Sequence, residues 1–418
     1  MGQFNPLART GVARVIENIA YGLASSEECD LFFFESLSFD ILNACLSYLR
    51  SNSNLLGIPL SHSSQKLNFY NQLIQLRKSL EHYQGEDLQS VRLNQNLQEM
   101  IELVNQSHRE SFNHFSRDID ILHATYYPIP SLVESCKTVC KILNVFDLIP
   151  IIFPHFFGLN SSEEHIIYKS LKSLEINRDW AICISHSTKN DLCEYLEMDE
   201  DRVFVAHLAA DPNIFYPYIN SNEATSIRNQ YGITDSPYIL SLSTLEPRKN
   251  IDHLIRCFTQ VIQEQNIKDL NLVLVGSQGW NYDVILQEIS SQQMLRDRII
   301  VTGRVADQDL AAIYSGAVAF VYPSLYEGFG LPPLEAMQCG VPVITSNTSS
   351  LPEVVGDAGI LLNPTDADML CHSIFKVYDQ SSLRDKMSSK SLEQAQKFSW
   401  KLSVDSVLSA YRTALKYK

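Results

Sequence analysis

Hydrophobic positions in the second half of the chain form short runs that alternate with longer amphipathic segments. The runs are apolar on both faces, which is typical of strands buried inside a sheet. The segments between them, such as residues 251–265 and 308–315, place apolar residues three and four positions apart and predict helices. Strands that alternate with helices predict an α/β fold with a parallel sheet covered on both faces. The apolar runs lie at residues 238–243, 272–275, 299–301, 319–322, 343–345 and 360–362.

The first half of the chain repeats this alternation less regularly. Residues 35–117 interrupt it and are rich in Leu, Asn, Gln and Ser. This composition predicts a helical insertion that serves packing or contact with an acceptor. The apolar runs around it lie at residues 31–34, 121–123, 142–146, 181–185 and 203–206.

Prolines break the periodicity between the two halves. They occur in Asp211-Pro212-Asn213 and Tyr216-Pro217, a pattern typical of a domain boundary. A length of 418 residues also suits two domains better than one. We therefore predict an N-terminal domain at residues 1–212, a second domain at 213–398, and a last helix within 399–418.

Charge and cysteine content exclude several classes of function. Lys and Arg total 33 against 48 Asp and Glu, a net charge of −15, so no nucleic-acid partner is expected. Any phosphate must then be bound by a local basic site. The nine cysteines are scattered without a CxxC pair, which predicts reduced buried thiols.

The sequence predicts a cytoplasmic location. No signal peptide opens the chain. The most apolar stretch, residues 146–159, contains Asp147, His155 and two prolines, so it does not predict a membrane span.

The strongest chemical signal follows the predicted strand at 319–322. Residues 327–335 read Glu-Gly-Phe-Gly-Leu-Pro-Pro-Leu-Glu. The glycines allow close approach of backbone to a ligand, and the prolines suit the first turn of a helix. A helix that begins here directs free amide groups at a phosphate. Glu327 and Glu335 flank that site, and each carboxylate can accept hydrogen bonds from sugar or ribose hydroxyls.

A second signal follows the predicted strand at 238–243. Residues 243–250 read Ser-Thr-Leu-Glu-Pro-Arg-Lys-Asn and lead into a helix. Arg248 and Lys249 are adjacent cations at that helix entrance, and both residue types bind phosphate oxygens. Because the carboxyl ends of parallel strands share one sheet edge, this site should lie beside the glutamate loop.

Other patterns are weaker. The turn Arg9-Thr10-Gly11-Val12 precedes a helical pattern and is typical of a turn facing a cleft. Asp118-Ile-Asp120 and Asp366-Ala-Asp368 have metal-binding spacing, but the first leads into a strand and the second starts a helix as an ordinary cap. His207 lacks a partner at ligand spacing, and Ser185 precedes a helix as a cap. No metal and no other cofactor is expected.

With these motifs together, the chain resembles the retaining glycosyltransferases of family four. That family has the GT-B architecture of two facing Rossmann-like domains, with an acceptor-side first domain, a donor-binding second domain, and a last helix that crosses back. The resemblance is densest over residues 241–363 and covers nearly all of the chain except residues 35–117. It implies transfer of a hexose from a nucleotide-sugar to a glycan or lipid-linked acceptor in polysaccharide biosynthesis, with peripheral membrane contact left open.

The resemblance also implies roles for individual residues. Arg248 and Lys249 hold the diphosphate, Glu335 the ribose, and Glu327 the transferred sugar, and Arg248, Lys249 and Glu327 are the catalytic set. Asp147 lies on the sugar or acceptor side. The full donor set is Gly11, Val12, Thr244, Arg248, Lys249, Gly303, Val305, Glu327, Gly328, Phe329, Gly330, Leu331 and Glu335.

Two departures from the family pattern bear on activity. The first strand of the family is truncated here, and Phe146 stands where the family often has a His before an Asp. A catalytically weak donor-binding subunit of a glycan assembly complex is therefore one alternative, and a nucleotide-sugar epimerase is another. GDP-mannose is the first expected donor and a UDP-hexose the second. The expected reaction is a same-face transfer without a metal, in which preorganised cations and amides stabilise the leaving phosphate.

Overall fold

The computed structural model describes residues 11–31, 119–130, 133, 136–159, 161–292 and 295–418. The predicted insertion at 35–117 and most of the candidate strand at 31–34 lie outside these described residues, as does Asp118.

The chain forms two compact units that each combine separate stretches of sequence. The first comprises residues 1–143, 170–180 and 407–418, and the second comprises residues 144–169 and 181–406. These divisions differ from the predicted boundary at 212. Turn-forming residues mark where periodicity ends, whereas long-range contacts decide which segments pack together. Residues 146 and 185, for example, both contact Gly328 far along the chain.

Among the described residues of the first half, four parallel strands form a sheet in the order β1-β2-β3-β4. The four predicted runs that fall in the described residues match strands to within two residues at each end. Strand β3, predicted at 181–185, begins one residue earlier and ends two residues earlier than predicted. The elements of this half are α1 (Gly11–Ala24), β1 (Ile121–Ala124), β2 (Cys140–Val145), α2 (Ile149–Ile152), α3 (Ile166–Lys172), β3 (Trp180–Cys183), α4 (His186–Leu196) and β4 (Val203–Val205).

The second sheet has six parallel strands and explains where the chemical motifs meet. Its order is β10-β9-β8-β5-β6-β7, so chain order runs outward from the centre in both directions. This is the doubly wound order, in which ligands bind at the carboxyl ends of the two central strands. All six predicted strands are confirmed. The strands are β5 (Tyr238–Leu242), β6 (Asn271–Val275), β7 (Ile299–Gly303), β8 (Ala319–Tyr322), β9 (Val343–Ser346) and β10 (Ile360–Leu362).

Helices cover the second sheet with apolar faces. Residues 251–264 form a helix whose buried positions recur every three or four residues, among them Leu254, Phe258 and Val261. Those side chains are almost fully buried against strand residues such as Leu272 and Val321. The helices are α5 (Ser221–Gln230), α6 (Ile251–Glu264), α7 (Tyr282–Ser291), α8 (Leu310–Ser315), α9 (Leu331–Gln338), α10 (Leu351–Val355), α11 (Ala367–Asp379), α12 (Ser381–Ala395) and α13 (Trp400–Lys416).

The end of α13 belongs to the first unit. The Tyr411 hydroxyl lies 2.8 Å from Nδ1 of His123, a residue of β1. Lys418 Nζ donates to Asp120 over 2.9 Å. Within the described residues, no helix combines the length and the apolar character needed to cross a membrane.

Candidate functional site

Two loops leave the central strands β5 and β8 at their carboxyl ends and pack against each other. We call residues 243–250 the cation loop and residues 323–330 the glutamate loop. Asn250 joins them to the rest of the sheet edge, since its side-chain amide donates to Pro323 O over 3.1 Å and to Pro364 O over 2.8 Å. The Leu325 amide donates to Arg248 O over 2.9 Å. The strand order therefore places the two sequence motifs in contact.

Glu327 is the centre of this site. Its Oε1 accepts hydrogen bonds from Lys249 Nζ at 2.6 Å, Ser324 Oγ at 2.6 Å and the Tyr322 hydroxyl at 2.8 Å. Its Oε2 lies 3.0 Å from Arg248 Nη1. Burial alone would raise the pKa of Glu327, but the two cations and these hydrogen bonds outweigh it and lower that pKa to about 2. Glu327 is therefore a buried anion held by two cations.

Arg248 and Lys249 are fixed by partners other than Glu327 as well. Arg248 Nη2 donates to Glu246 Oε1 over 2.7 Å, and Arg248 Nη1 donates to Tyr326 O over 2.6 Å. Burial opposes the charge on Arg248, yet Glu327 and Glu246 raise its pKa. Burial and the neighbouring Arg248 lower the pKa of Lys249. The sequence analysis assigned the cations and Glu327 to different parts of a donor, and here they form one balanced cluster.

Backbone amides of the glutamate loop form the second part of the site. The Ser350 hydroxyl lies 2.9 Å from Glu327 O and 2.6 Å from Phe329 O, and Ser185 Oγ donates to Gly328 O over 2.7 Å. The carbonyls of this loop are thus held by side-chain hydroxyls. The backbone amides of residues 328–331 have no hydrogen-bond acceptor among the described residues. Pro332 and Pro333 carry no amide hydrogen, so these four amides are what the start of α9 offers to an anion.

The glutamate loop reaches α9 through an unusual backbone conformation. Gly330 has a φ of +118° and directly precedes the helix, where a residue with a side chain would be disfavoured. The ring of Phe329 is buried against His207 and Phe398, so only its backbone is available to a ligand. The predicted helix opening at this loop is confirmed.

Glu335 lies within α9, where it is hydrogen-bonded to a tyrosine hydroxyl. Its Oε2 accepts a hydrogen bond from the Tyr314 hydroxyl at 2.9 Å, and its side chain is buried. Tyr314 is a partner that the sequence motif did not indicate, because it comes from α8. The assignment of Glu335 to the ribose stays a prediction.

Thr244, Gly303 and Val305 lie at the ends of neighbouring strands. A Cβ on Gly276 would collide with Ser243 O, and the Gly276 amide donates to Gly303 O over 2.9 Å. The loops after β5, β6 and β7 thus converge at one edge of the sheet. Thr244 is exposed there and Val305 is buried.

Asp147 also reaches the glutamate loop. A Cβ built on Gly328 would lie 2.5 Å from Phe146 O and 2.9 Å from Asp147 Cβ, so only glycine fits without a shift. Asp147 Oδ1 accepts from the Ile149 amide at 3.0 Å. Burial raises the pKa of Asp147, and Glu327 adds to that rise while Arg248 opposes it.

Gly11 and Val12 are the first two residues of α1. They begin α1 in the first compact unit, whereas the cation and glutamate loops belong to the second. Their assignment to the donor stays a prediction.

One group of candidate metal ligands occurs among the described residues, and the sequence analysis missed it. His186, His207 and Glu353 offer ligand atoms that all lie within 4.8 Å of one another. Glu353 already accepts from His207 Nε2 at 3.1 Å and from the amides of His186 and Ser187. Burial would raise the pKa of Glu353, but these hydrogen bonds lower it. His207 has no partner at ligand spacing along the sequence, but the fold brings Glu353 to it from a distant segment, and the group braces the start of α4.

Two predicted helix caps are confirmed. Ser185 Oγ accepts from the Thr188 amide at 3.0 Å at the start of α4. Asp366 Oδ1 accepts from the Met369 amide at 2.9 Å at the start of α11.

Comparison with known proteins gives consistent matches. The family described as glycosyl transferases group 1 matches residues 223–394. The chain is 34% identical over 294 residues to the O-antigen chain mannosyltransferase B of Escherichia coli, covering 70% of this chain and 74% of the relative. It is 32% identical to the serotype-specific mannosyltransferase WbdA of Escherichia coli over 65% of this chain and 33% of that protein. The structure of HepE from Anabaena in complex with UDP and glucose matches with a TM-score of 0.60 at 16% identity, covering 97% of this chain and 96% of HepE.

Proposed function

Since the chain belongs to the glycosyl transferases group 1 family and has the GT-B fold, we propose that it transfers a hexose from a nucleotide-sugar to a glycan or lipid-linked acceptor with retention of anomeric configuration. The observation that carries this proposal is the buried cluster of Arg248, Lys249 and Glu327, which lies beside free backbone amides at the central edge of a doubly wound sheet.

Mannose is the sugar we propose first, with GDP-mannose as donor. The two relatives compared above are mannosyltransferases of Escherichia coli, one of an O-antigen chain and one serotype-specific. A UDP-hexose is the alternative, because HepE was solved with UDP and glucose. Assembly of a surface polysaccharide is the process that fits these relatives. The cytoplasmic location stays a prediction.

The proposed chemistry is departure of a nucleoside diphosphate from the anomeric carbon. The bond between that carbon and the phosphate oxygen breaks, and negative charge grows on the phosphate. Arg248, Lys249 and the amides of residues 328–331 stabilise this charge without reorganising, which is the most effective form of electrostatic catalysis. The acceptor oxygen then bonds to the same face of the carbon, and its proton passes to the leaving phosphate.

Glu327 is a poor nucleophile for a double displacement. Its Oε1 accepts three hydrogen bonds and its Oε2 lies against Arg248, so both oxygens are engaged. The lowered pKa of Glu327 also argues against nucleophilic attack, because a stabilised carboxylate donates electrons less readily. We therefore propose that Glu327 orients the cations and the sugar rather than attacking carbon.

Phe146 supports the second candidate, a catalytically weak donor-binding subunit. The residue precedes Asp147 beside Gly328, and a phenyl ring cannot donate a hydrogen bond to a sugar hydroxyl. Phe146→His would restore a donor there, with Phe146→Leu as a control that changes the ring without adding one. A rise in kcat for Phe146→His alone supports the weak-subunit candidate.

The experiment that tests the proposal uses the purified chain with GDP-mannose, UDP-glucose and UDP-N-acetylglucosamine. Mannobiose and mannotriose serve as acceptors, and sugar transfer, plain hydrolysis and epimer formation are measured in the same samples. Nuclear magnetic resonance of the product reports the anomeric configuration. An inverted product contradicts the retaining mechanism. Binding without transfer favours the weak subunit, and epimer formation without transfer favours an epimerase.

A further inference from the structure

A cluster of aromatic side chains follows Asp147 along the chain. The ring centroids of Phe153 and Phe156 lie 5.4 Å apart, and those of His155 and Phe156 lie 4.4 Å apart. Phe153 also packs on Tyr326, with ring centroids 5.1 Å apart. We call these four residues the aromatic platform. All of them belong to the second compact unit.

The platform is continuous with the proposed reaction site. Tyr326 directly precedes Glu327, and its backbone carbonyl accepts from Arg248 Nη1 at 2.6 Å. The Tyr326 hydroxyl lies 2.8 Å from the Asp191 carboxylate, which fixes the ring. A ligand chain that leaves the site on this side would therefore meet Phe153 next.

The platform is partly open to solvent. Phe153 and Phe156 are half-buried and His155 is exposed. Ile152, just before the platform, is 40% exposed. Aromatic side chains that pack on one another and stay partly exposed offer a preformed surface, so binding of a ligand costs little ordering entropy of these side chains.

We propose that the aromatic platform binds the acceptor glycan by stacking on the apolar face of its sugar rings. The inference rests on the proposed glycosyl transfer and assigns the acceptor side of the same site. Sugar rings carry one face of C–H groups, which suits flat aromatic side chains, and their hydroxyls remain free for water. The acceptor class is an uncharged oligosaccharide, because the platform joins several aromatic rings in contact with one another.

A lipid surface fits the platform less well. Residues 148–168 contain neither Lys nor Arg. Segments that bind anionic membranes combine apolar residues with these cations. The nearby Arg248 is already engaged by Tyr326 O and Glu327, so an aromatic surface in a segment without Lys or Arg matches an uncharged glycan better.

The test compares His155→Ala and Phe156→Ala with the wild-type chain. At saturating donor, we expect both variants to raise the KM for mannotriose by about fivefold or more, since each removes apolar contact area from the acceptor site. The KM for GDP-mannose and the rate of donor hydrolysis without acceptor should stay unchanged. Phe156→Trp should retain acceptor binding because it keeps a flat ring. Tyr216→Ala is the matched control, since Tyr216 is a similarly exposed aromatic stacked on Tyr218 elsewhere in the unit.

Binding measurements separate this inference from the proposed function. If no donor supports transfer, titration calorimetry with mannotriose still reports glycan binding, and its loss in His155→Ala supports the platform. Sedimentation with vesicles of equal parts phosphatidylethanolamine and phosphatidylglycerol tests a membrane. The proposal is overturned if the variants lose vesicle binding while the mannotriose KM is unchanged, or if mannotriose binds all variants equally.

Discussion

The two glutamates of the motif at residues 327–335 have very different surroundings. Glu327 faces Arg248 and Lys249 and accepts from two hydroxyls, whereas Glu335 accepts from the hydroxyl of Tyr314. Two residues of the same type can therefore serve different steps. In the proposed reaction Glu327 lies beside the developing charge, whereas Glu335 lies on helix α9.

Truncation to alanine should separate these roles. Glu327→Ala is expected to lower kcat strongly, by about 2–4 kcal/mol of barrier, as for loss of one electrostatic stabiliser. Glu335→Ala is expected to raise the donor KM more than it lowers kcat, because ribose does not change in the reaction. Steady-state kinetics of both variants with ribose and 2′-deoxyribose donors give the comparison.

The deoxy donor provides the internal control for that experiment. Glu335→Ala should lose the preference for ribose, because a site built for a hydroxyl discriminates through the group left unpaired. An unchanged donor KM together with an unchanged deoxy preference would show that Glu335 does not contact the ribose.

Glu327 should also make stability depend on pH. Its pKa is lowered from 4.5 to about 2 in the folded chain, so folding favours the charged form. The stabilisation is fully present above pH 4.5 and is lost as pH falls toward 2, where the folded chain also takes up the proton. Urea unfolding across this range should show a smaller decline for Glu327→Gln than for wild type. Equal slopes in the two proteins would contradict the buried ion-pair account.

At the scale of elements, side-chain hydroxyls hold the glutamate loop in shape. Ser350, at the start of α10, lies within hydrogen-bond distance of two carbonyls of the loop and is fully buried. Ser185 and Thr188, at the start of α4, both reach the carbonyl of Gly328. Two helices thus fix three successive peptide groups and leave the amides available.

Removing the Ser350 hydroxyl tests this arrangement. Ser350→Ala leaves buried carbonyls without a donor, which should reduce the free energy of unfolding by about 1–3 kcal/mol. It should also weaken nucleotide binding, because the amides lose their fixed orientation. Ser291→Ala is a suitable control, since that hydroxyl donates to a helix carbonyl on the surface. Thermal unfolding with and without GDP measures both effects, and a loss of stability with unchanged GDP affinity would reduce Ser350 to a structural role.

Much of this element-level picture could be predicted from the sequence. The six strands of the second sheet were predicted because buried parallel strands are apolar runs bounded by polar turns. The meeting of the cation and glutamate loops followed from the shared sheet edge. The contacts of Ser350, Tyr314 and Glu353 could not be predicted, because no periodicity reports which distant segments pack together. The difference between the predicted boundary at 212 and the compact units has the same origin.

At the scale of the whole molecule, the proposed nucleotide-sugar donor is an anion, and it would have to bind a chain with a net charge of −15. Long-range electrostatics repel a nucleoside diphosphate, so attraction must be local. Arg248 and Lys249 are already balanced by Glu246 and Glu327, and the free amides add partial positive charge without a counter-ion. Together these groups can neutralise the charge of a diphosphate, which is the role of a divalent cation in other nucleotide sites.

We therefore predict that nucleotide binding and activity do not require a divalent metal. GDP should stabilise the chain by mass action, by about 2.7 kcal/mol at a concentration one hundred times Kd, and more than UDP or ADP at the same concentration. The thermal shift with GDP should be the same with EDTA as with Mg²⁺ or Mn²⁺.

Arg248→Ala should abolish the thermal shift with GDP, because the charge of Arg248 and its contacts with Glu327 and Tyr326 are lost. Lys401→Ala should leave it intact, since Lys401 is an exposed cation on α13. A shift or an activity that disappears with EDTA and returns with Mn²⁺ would mean that the cluster and amides do not neutralise the diphosphate alone, and the proposed metal-free departure of the phosphate would have to be abandoned.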